Sequence, residues 1–575
     1  MVSNDSNISN LVKILKENDI RDIVISPGGT NIKFVKAVQD DPFFKCYSVV
    51  DERSAIYFAI GLYLQKGKII ATSCTSAQAT RNYIPGLTEA FYKKVPILAI
   101  TMSKHPRFTY QEYMQAPDQA SLPKDCVKKS YSVPYISDEN DMLHSIRVIN
   151  EAILELTHNG KGPVQLCIPE LDFPLTKVNT KMKIISRYNL RNLQERTEDI
   201  SDYLLNKKIM IVIGEHRPFE KKEREAIEKF AESYNCFIYV NHLSNFKSQY
   251  TLNANLTLLG MQENEFKNYS PDILISIGGQ TGDYPFYKML SKLEFSNIEH
   301  WRINIDGAVT DTYDKLTKIF EMEEQDFFNA LYIKNSKSNH SYYESWKSIV
   351  LKQKNNLELP LSNGAIAQIL SKKITKKSVI QFSILNSLRM WSLFELSENV
   401  ECYSNVGAFG IDGGMSTLIG QSMATDKDCY MIIGDLAFLY DINSISIKGI
   451  KNNLKILLVN NNGGVEFKLY SKPNENKKID QYTAAGGHFK NAKGWAETCG
   501  FEYLSANSMN EFLEKADRFV SKSNMPMIFE VFVEDIDEAK AYNILLTNNY
   551  SYTMADLKEK TKDVIKSKLK NIVKK

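Results

Sequence analysis

The sequence lacks the patterns that mark disulfide-bonded, zinc-binding and membrane-spanning proteins. Its eight cysteines and eight histidines are dispersed over 575 residues, without a CxxC pair or an HExxH pattern. Buried, reduced cysteines therefore fit better than a disulfide or zinc framework. Apolar runs such as residues 209–213 and 456–459 are far shorter than the roughly 18 residues that span a bilayer. Because the first ten residues are polar and have no apolar signal core, we expect a cytoplasmic protein.

An excess of charge of one sign is also lacking. The chain has 71 Lys and Arg residues against 68 Asp and Glu residues, a net charge of +3. This balance gives no reason to expect a nucleic-acid or membrane partner. The exception is the C-terminal tail, where eight lysines lie between residues 557 and 575. A solvated amphipathic helix is the favoured interpretation of the tail, with contact to a membrane or nucleic acid as the alternative.

Helical and strand periodicities alternate along the chain, which is typical of parallel sheets covered by helices. The length suggests roughly three to four compact units. We predict an α/β protein with three doubly wound parallel-sheet domains. An N-terminal domain is expected at 1–180, a central domain at 190–345 and a C-terminal domain at 360–545, followed by the lysine-rich helix at 546–575. The polar stretch 334–362 is predicted to be a linker.

Two short motifs follow neighbouring apolar strands of the C-terminal domain. Gly434-Asp435 ends one strand, and Asn460-Asn461-Asn462-Gly463-Gly464 ends the next. The carboxyl ends of parallel strands are where open α/β folds bind ligands. A carboxylate, an amide oxygen and a backbone carbonyl suit Mg²⁺, whose octahedron phosphate oxygens and water can complete. Backbone N–H groups of a glycine loop can hold the same phosphates.

Either motif alone is a common turn signal, but the pair, with Asp435 and Asn461 separated by 26 positions, resembles the diphosphate-binding signature of thiamine-diphosphate-dependent enzymes. Leu436 departs from the glycine that is usual after the aspartate. The wider segments GDLAFLYDIN (434–443), NNNGG (460–464) and SNVGAFGIDGGMST (404–417) resemble the 2-succinyl-5-enolpyruvyl-6-hydroxy-3-cyclohexene-1-carboxylate synthase branch of menaquinone biosynthesis. So do SPGG (26–29), DERSA (51–55) and TSAQA (75–79).

The resemblance implies the fold of thiamine-diphosphate enzymes, with thiamine diphosphate and Mg²⁺ as cofactors. Asp435, the Asn461 side chain and the Gly463 carbonyl would hold the metal, and Ile411 would be the wedge that bends the cofactor. Glu52 would hydrogen-bond the pyrimidine ring and promote its imino tautomer, and burial would raise the pKa of this carboxyl. The residues implied to bind the cofactor are Glu52, Ser387, Gly410, Ile411, Gly434, Asp435, Leu436, Ala437, Asn461, Gly463 and Gly464.

The resemblance also implies a homodimer or a dimer of dimers, because in this family one subunit supplies the glutamate and its partner the metal site.

Arginines that would bind substrate carboxylates in this branch are missing. The loop after the first strand reads Gly29-Thr30 where Ser-Arg is expected, and Val406 replaces the arginine of an Asn-Arg-Gly motif. Trp391 stands at the donor-side arginine, for which Arg389 is a candidate substitute. Since arginine binds carboxylates in planar bidentate pairs, we predict substrates other than 2-oxoglutarate and isochorismate.

A carboxylate, Glu466, stands where the branch has an apolar residue near the reacting carbon. It either faces solvent at the strand end or faces the pocket, where it would repel a γ-carboxylate and is a candidate for a catalytic proton shuttle. Gln115 and the Lys104-His105 pair are further candidates for substrate contact.

These features predict a decarboxylase that transfers the acyl carbanion of a 2-oxo acid to an acceptor. Pyruvate is the default donor, and a polar carbonyl compound such as a sugar derivative is the expected acceptor. A simple 2-oxo-acid decarboxylase and the synthase of the branch itself are the alternatives. A non-enzymatic binding protein fits least, because Glu52 is retained. The central domain has Gly278-Gly279 but no GxGxxG motif, so no FAD is predicted there.

Overall fold

The described residues form three six- or seven-stranded sheets, and every strand pair in them is parallel. The computed structural model describes residues 5–169, 184–292, 297–334, 338–352, 357–467, 469 and 482–548. The predicted fold class, three α/β parallel-sheet domains, is confirmed.

The first sheet has the strand order β2-β1-β3-β4-β6-β5. Its central strands are mostly apolar and buried on both faces, as is typical of parallel sheets covered by helices. The strands are β1 (Asp22–Ile25), β2 (Lys45–Ser48), β3 (Ile70–Cys74), β4 (Ile97–Ser103), β5 (Ser130–Ser132) and β6 (Val164–Pro169), and the helices are α1 (Asp5–Glu17), α2 (Ile32–Gln39), α3 (Glu52–Lys66), α4 (Gln78–Asn82), α5 (Ile84–Tyr92) and α6 (Glu139–Glu155).

The second sheet has the order β10-β9-β8-β11-β12-β13-β7. Its strands are β7 (Ser186–Asn189), β8 (Ile209–Ile213), β9 (Cys236–Tyr239), β10 (Thr251–Leu252), β11 (Ile273–Ile277), β12 (Glu299–Ile303) and β13 (Leu316–Glu321). The helices are α7 (Leu190–Glu195), α8 (Thr197–Leu205), α9 (Lys221–Ser233), α10 (Asn255–Gly260), α11 (Glu263–Tyr269), α12 (Tyr284–Leu290), α13 (Glu324–Leu331) and α14 (Ser341–Val350).

The third sheet has the order β15-β14-β16-β17-β19-β18, which is the same connectivity as that of the first sheet. Its strands are β14 (Ser378–Phe382), β15 (Val400–Ser404), β16 (Asp428–Gly434), β17 (Leu454–Asn460), β18 (Glu502–Ala506) and β19 (Met527–Phe532). The helices are α15 (Asn363–Lys373), α16 (Asn386–Trp391), α17 (Gly414–Met423), α18 (Asp435–Tyr440), α19 (Lys493–Thr498), α20 (Met509–Val520) and α21 (Asp535–Asn548).

The predicted linker at 334–362 is wrong over its middle part, which forms helix α14. Tyr342 and Trp346, one helical turn apart, are buried, and the Trp346 ring lies 5.1 Å from the ring of Phe237 on β9. Lys, Asn and Ser dominate the composition of this stretch, but two aromatic side chains at i and i+4 suffice to bury one face of a helix.

Several expectations concern features outside the sheets. Six of the eight cysteines are buried, as expected, and all eight have free thiols in the structure. Within the described part of the chain, no helix is long and apolar enough to cross a bilayer, and no cluster of three or more His, Cys, Asp or Glu residues has the geometry of a metal site. The lysine-rich helix predicted at 546–575 lies outside the described residues beyond Asn548.

Candidate active site

One cavity lies between the carboxyl ends of the first and third sheets. In each sheet the chain order reverses beside the first strand, between β1 and β3 and between β14 and β16. Loops that follow these four strands line the cavity, at residues 27–29, 75–79, 383–387 and 434–437. Open parallel sheets bind ligands at such switch points, and here two of them face each other.

Glu52 lies on the wall formed by the first sheet. It is the first residue of α3, and the preceding Asp51 caps that helix by accepting a hydrogen bond from the backbone N–H of Ser54. The Glu52 side chain lines the cavity and is 7% exposed. Its Oε2 accepts a hydrogen bond from the Tyr440 hydroxyl at 2.5 Å, and Asn82 donates to that hydroxyl at 2.7 Å.

Burial raises the pKa of Glu52 to about 7, against a lowering by the hydrogen bond from Tyr440. The neighbouring carboxyl of Asp412 adds to the rise, and burial also raises the pKa of Asp412 itself. A carboxyl with a pKa near neutrality can hold a proton or release it under physiological conditions, as a proton-sharing partner of a bound ring requires.

Asp435 lies on the opposite wall, at the point where β16 passes into α18. Its Oδ1 accepts the N–H of Leu436 at 2.7 Å. Its Oδ2 accepts the N–H groups of Asn461 at 3.2 Å and Gly463 at 2.9 Å. Strands β16 and β17 are paired with Gly434 opposite Val459, so the sheet register itself brings the two sequence motifs together.

Two features of the loop after β17 suit a metal ion that carries a diphosphate. The Asn461 Oδ1 atom is buried and has no hydrogen-bond partner, which is the state expected of an oxygen reserved for a ligand. Gly463 has φ +153°, and a Cβ there would lie 2.8 Å from the Gly486 Cα. The Asp435 carboxylate, the Asn461 amide oxygen and the Gly463 carbonyl are hard oxygen donors of the kind that Mg²⁺ takes, so these residues fit the cofactor.

The other residues implied to bind the cofactor lie in the same cavity. Ser387 in the first turn of α16 is buried, and Gly410 and Ile411 belong to the loop between β15 and α17. Gly434, Leu436, Ala437 and Gly464 also line the cavity. A Cβ at Gly410 would lie 2.7 Å from the Gln78 Cβ, so the two walls meet closely at this loop.

The structure places some of the predicted substrate-binding residues in the cavity wall and others away from it. Gly29 and Gln115 line the cavity. Thr30 is buried, and its hydroxyl is hydrogen-bonded to that of Thr75 at 2.8 Å. Val406 packs against Gly282 of the central domain. Neither of these two is among the residues that line the cavity in the described part of the chain, nor are Lys104 and His105.

Glu466 faces the cavity and does not project into bulk solvent. It lines the cavity, and its Oε2 accepts a hydrogen bond from Arg389 Nη1 at 2.6 Å. The two side chains are 20% and 12% exposed. Arg389 itself is not a lining residue among those described; it reaches the cavity through this ion pair.

Sequence reasoning missed two residues of the site, Tyr440 and His488. Tyr440 lies in the quoted segment 434–443, but its role depends on a contact with Glu52, 388 positions away. The His488 Nε2 atom lies 3.0 Å from the Asp435 Oδ2 atom. One histidine among eight dispersed ones carries no signal in a single sequence.

The fold and the site together define a thiamine-diphosphate-dependent enzyme. The model of the thiamine pyrophosphate enzyme N-terminal TPP-binding domain matches residues 9–122. The chain is 32% identical over 551 residues to a 2-succinyl-5-enolpyruvyl-6-hydroxy-3-cyclohexene-1-carboxylate synthase of Phocaeicola vulgatus, covering 93% of this chain and 96% of that relative. Synthases of the same name from Bacteroides thetaiotaomicron and Flavobacterium johnsoniae are 31% and 28% identical, over 94% and 91% of this chain and 98% and 95% of the relatives. The chain belongs to the family of thiamine-diphosphate-dependent enzymes that contains these synthases.

Proposed function

We propose that this enzyme, with thiamine diphosphate and Mg²⁺, decarboxylates a 2-oxo acid and transfers the resulting acyl group, as a carbon nucleophile, to a carbonyl acceptor. The observation that carries the proposal is the juxtaposition of Glu52 with Asp435, Asn461 and Gly463 across one cavity. Membership of the family supports the same chemistry. When bound, the cofactor supplies the carbon centre on which the acyl group is carried.

Residues on the two walls of the cavity have different proposed roles. Asp435, Asn461 and Gly463 would hold the metal and, through it, the diphosphate, while the N–H groups of the glycine loop contribute further donors. Glu52 would exchange a proton with the pyrimidine ring, since its raised pKa suits both directions of transfer. Ile411 would support the bent form of the cofactor. Glu52 is 7% exposed, which limits the access of water to this proton exchange.

The donor and acceptor are proposed to differ from 2-oxoglutarate and isochorismate. The described residues that line the cavity include no lysine, arginine or histidine, whereas two dianionic substrates would need cationic partners. Pyruvate is the proposed donor, and a polar, uncharged carbonyl compound such as a sugar derivative is the proposed acceptor.

A panel of 2-oxo acids, scored for CO₂ release with and without candidate aldehydes and ketones, tests the proposal. We expect CO₂ release from pyruvate that increases when an acceptor is present, together with a new C–C-bonded product. Release of free aldehyde at the same rate without any acceptor would instead support a simple decarboxylase. Calorimetry that detected no binding of thiamine diphosphate and Mg²⁺ would refute the proposal at its first step.

The names of the relatives favour a second candidate, the synthase reaction itself. It requires that cationic groups beyond those described complete the site. Turnover of isochorismate together with 2-oxoglutarate would establish this function and exclude the altered substrates.

We further propose a cytoplasmic homodimer or dimer of dimers. Helix α3 supports this, because Tyr57, Phe58 and Leu64 leave 41–59% of their surfaces exposed on a helix that is also apolar on its buried side. In the structure, one chain supplies both walls of the cavity, whereas the family resemblance implies that two subunits share them. Mixing Glu52→Gln and Asp435→Asn chains decides between the two arrangements. The mixture stays inactive if each cavity belongs to one chain and recovers about a quarter of its sites if subunits share the cavity.

A further inference from the structure

The charges around the cavity are strongly one-sided. Four carboxyl groups line it, those of Glu52, Asp412, Asp435 and Glu466, and no cationic side chain does so among the described residues. Apart from a metal bound at Asp435, such a lining offers no cationic partner to a second carboxylate, and charges at buried sites are weakly screened.

Each of the four carboxyl groups has an assigned partner or role. In the proposed mechanism Glu52 would share a proton with the cofactor ring, and Asp435 would bind the metal. Glu466 is paired with Arg389 at 2.6 Å. Asp412 lies beside Glu52 and raises its pKa. Among the described lining residues, no cationic side chain is therefore available to bind a second carboxylate on the substrate.

Arg389 contacts the cavity lining through Glu466, which accepts a hydrogen bond from its Nη1. A second carboxyl group near Arg389 is that of Asp283 in the central domain, which lines the same small pocket as Arg389 and is buried. The positive charge of Arg389 partly offsets the rise that burial causes in the pKa of Asp283. Asp283 is held in turn by the hydroxyl of Tyr239.

The geometry points to Glu466 as an internal substitute for a substrate carboxylate. We infer that Glu466 forms an ion pair with Arg389 and thereby restricts the donor to 2-oxo acids without a second carboxylate. The inference rests on the proposed function and deepens it by naming the residue pair that sets the donor class. Because Arg389 Nη1 already donates to Glu466 at 2.6 Å, the guanidinium group cannot form a bidentate pair with the second carboxylate of a dicarboxylic donor. That carboxylate would also be repelled by the nearby charge of Glu466.

Glu466→Gln tests the inference because glutamine keeps the shape of the side chain and removes its charge. The holoenzymes are compared with pyruvate and with 2-oxoglutarate as donors, by CO₂ release. Wild-type enzyme should favour pyruvate in kcat/KM. The variant should shift the ratio of the two kcat/KM values toward 2-oxoglutarate by at least about tenfold, mainly through a lower KM for 2-oxoglutarate, since a charge-assisted contact is gained and a repulsion lost.

The double variant Glu466→Gln/Arg389→Gln assigns the gain to Arg389, because the shift should disappear in it. Glu502→Gln, which removes the partner of Arg518 at the exposed pair on β18, is the matched control and should leave the ratio unchanged. Folding of each variant is checked by the heat of thiamine diphosphate and Mg²⁺ binding. Glu466→Ala replaces the glutamine variant if that variant fails this check.

Binding of glutarate, a dicarboxylate that cannot be decarboxylated by this chemistry, gives a second readout. By calorimetry it should bind to the Glu466→Gln holoenzyme at least about tenfold more tightly than to wild type. A wild-type enzyme that uses 2-oxoglutarate as well as pyruvate, or a variant whose donor ratio and glutarate affinity both stay within about twofold of wild type, overturns the inference. If no 2-oxo acid is turned over at all, the proposed function fails, and the glutarate measurement still decides the inference.

Discussion

Replacing Glu52 with glutamine should remove a pH-dependent loss of stability from the cofactor-free protein. The carboxyl group is 7% exposed, and burial raises its pKa from an ordinary 4.5 to about 7. Since one pH unit of pKa difference between the folded and unfolded states corresponds to about 1.4 kcal/mol, keeping Glu52 ionised in the folded protein costs about 3 kcal/mol.

The sign follows from the direction of this pKa difference. Below pH 4.5, Glu52 is protonated in both states and imposes no penalty on folding. As the pH rises from about 4.5 to the folded-state value of about 7, the unfolded state releases its proton while the folded state keeps it, so the folded state becomes less stable by comparison. Above about pH 7 both states are ionised and the loss levels off. Glutamine cannot ionise, so the free-energy difference between Glu52→Gln and wild type should grow by about 3 kcal/mol between about pH 4 and about pH 8.

Urea unfolding of the apo proteins at several pH values measures this difference. Glu89→Gln, at an exposed position of α5, is the control and should retain the pH dependence of wild type. A difference between Glu52→Gln and wild type that stays constant across the pH range would refute the raised pKa, and with it the proton exchange assigned to this residue.

Four further expectations concern the proposed cofactor-binding residues, the core and the central domain. Tyr440→Phe removes a donor that favours the ionised form of Glu52, so the loss of stability should extend upward by about one to two pH units, as measured in the same unfolding series. Asn461→Ala should raise the Mg²⁺ concentration needed for thiamine diphosphate binding at least about tenfold, measured by calorimetric Mg²⁺ titration, because Mg²⁺ then loses one of its few protein ligands. Trp346→Ala should lower the free energy of unfolding by about 3–5 kcal/mol in urea titrations, whereas Leu351→Ala, 73% exposed, should change it little. An absorbance scan of the purified enzyme should have no flavin band at about 450 nm.

The parts of the site that follow directly from strand ends could be predicted from the sequence. Asp435 and Asn461 each stand just after an apolar run, and adjacent parallel strands bring such positions together whatever the side chains around them. The position of Glu52 could also be predicted, since it begins a helix directly after a strand. Only the family resemblance distinguished it from an ordinary carboxylate at a helix start.

Contacts between distant side chains could not be predicted in this way. The pairing of Arg389 with Glu466 spans 77 positions, and nothing in either local pattern says which way the side chains turn. Composition also misled the prediction at α14. A stretch rich in Lys, Asn and Ser resembles a linker by composition, but two aromatic residues at the right spacing outweigh it, because their burial stabilises the helix far more than its polar residues destabilise it.

The repeated strand order would allow the enzyme to keep its proposed metal-binding residues while its substrate contacts change. These residues follow adjacent strands and are placed by strand pairing, as with Gly434 opposite Val459. Glu466 lies instead in a short 3₁₀ helix and Gln115 in a loop, both beyond the strand ends, where a substitution alters charge without disturbing register. The proposed role of the Arg389–Glu466 pair therefore requires no change at Asp435 or Asn461. We expect the residues beyond the strand ends to determine the substrates and the sheets to determine the reaction class.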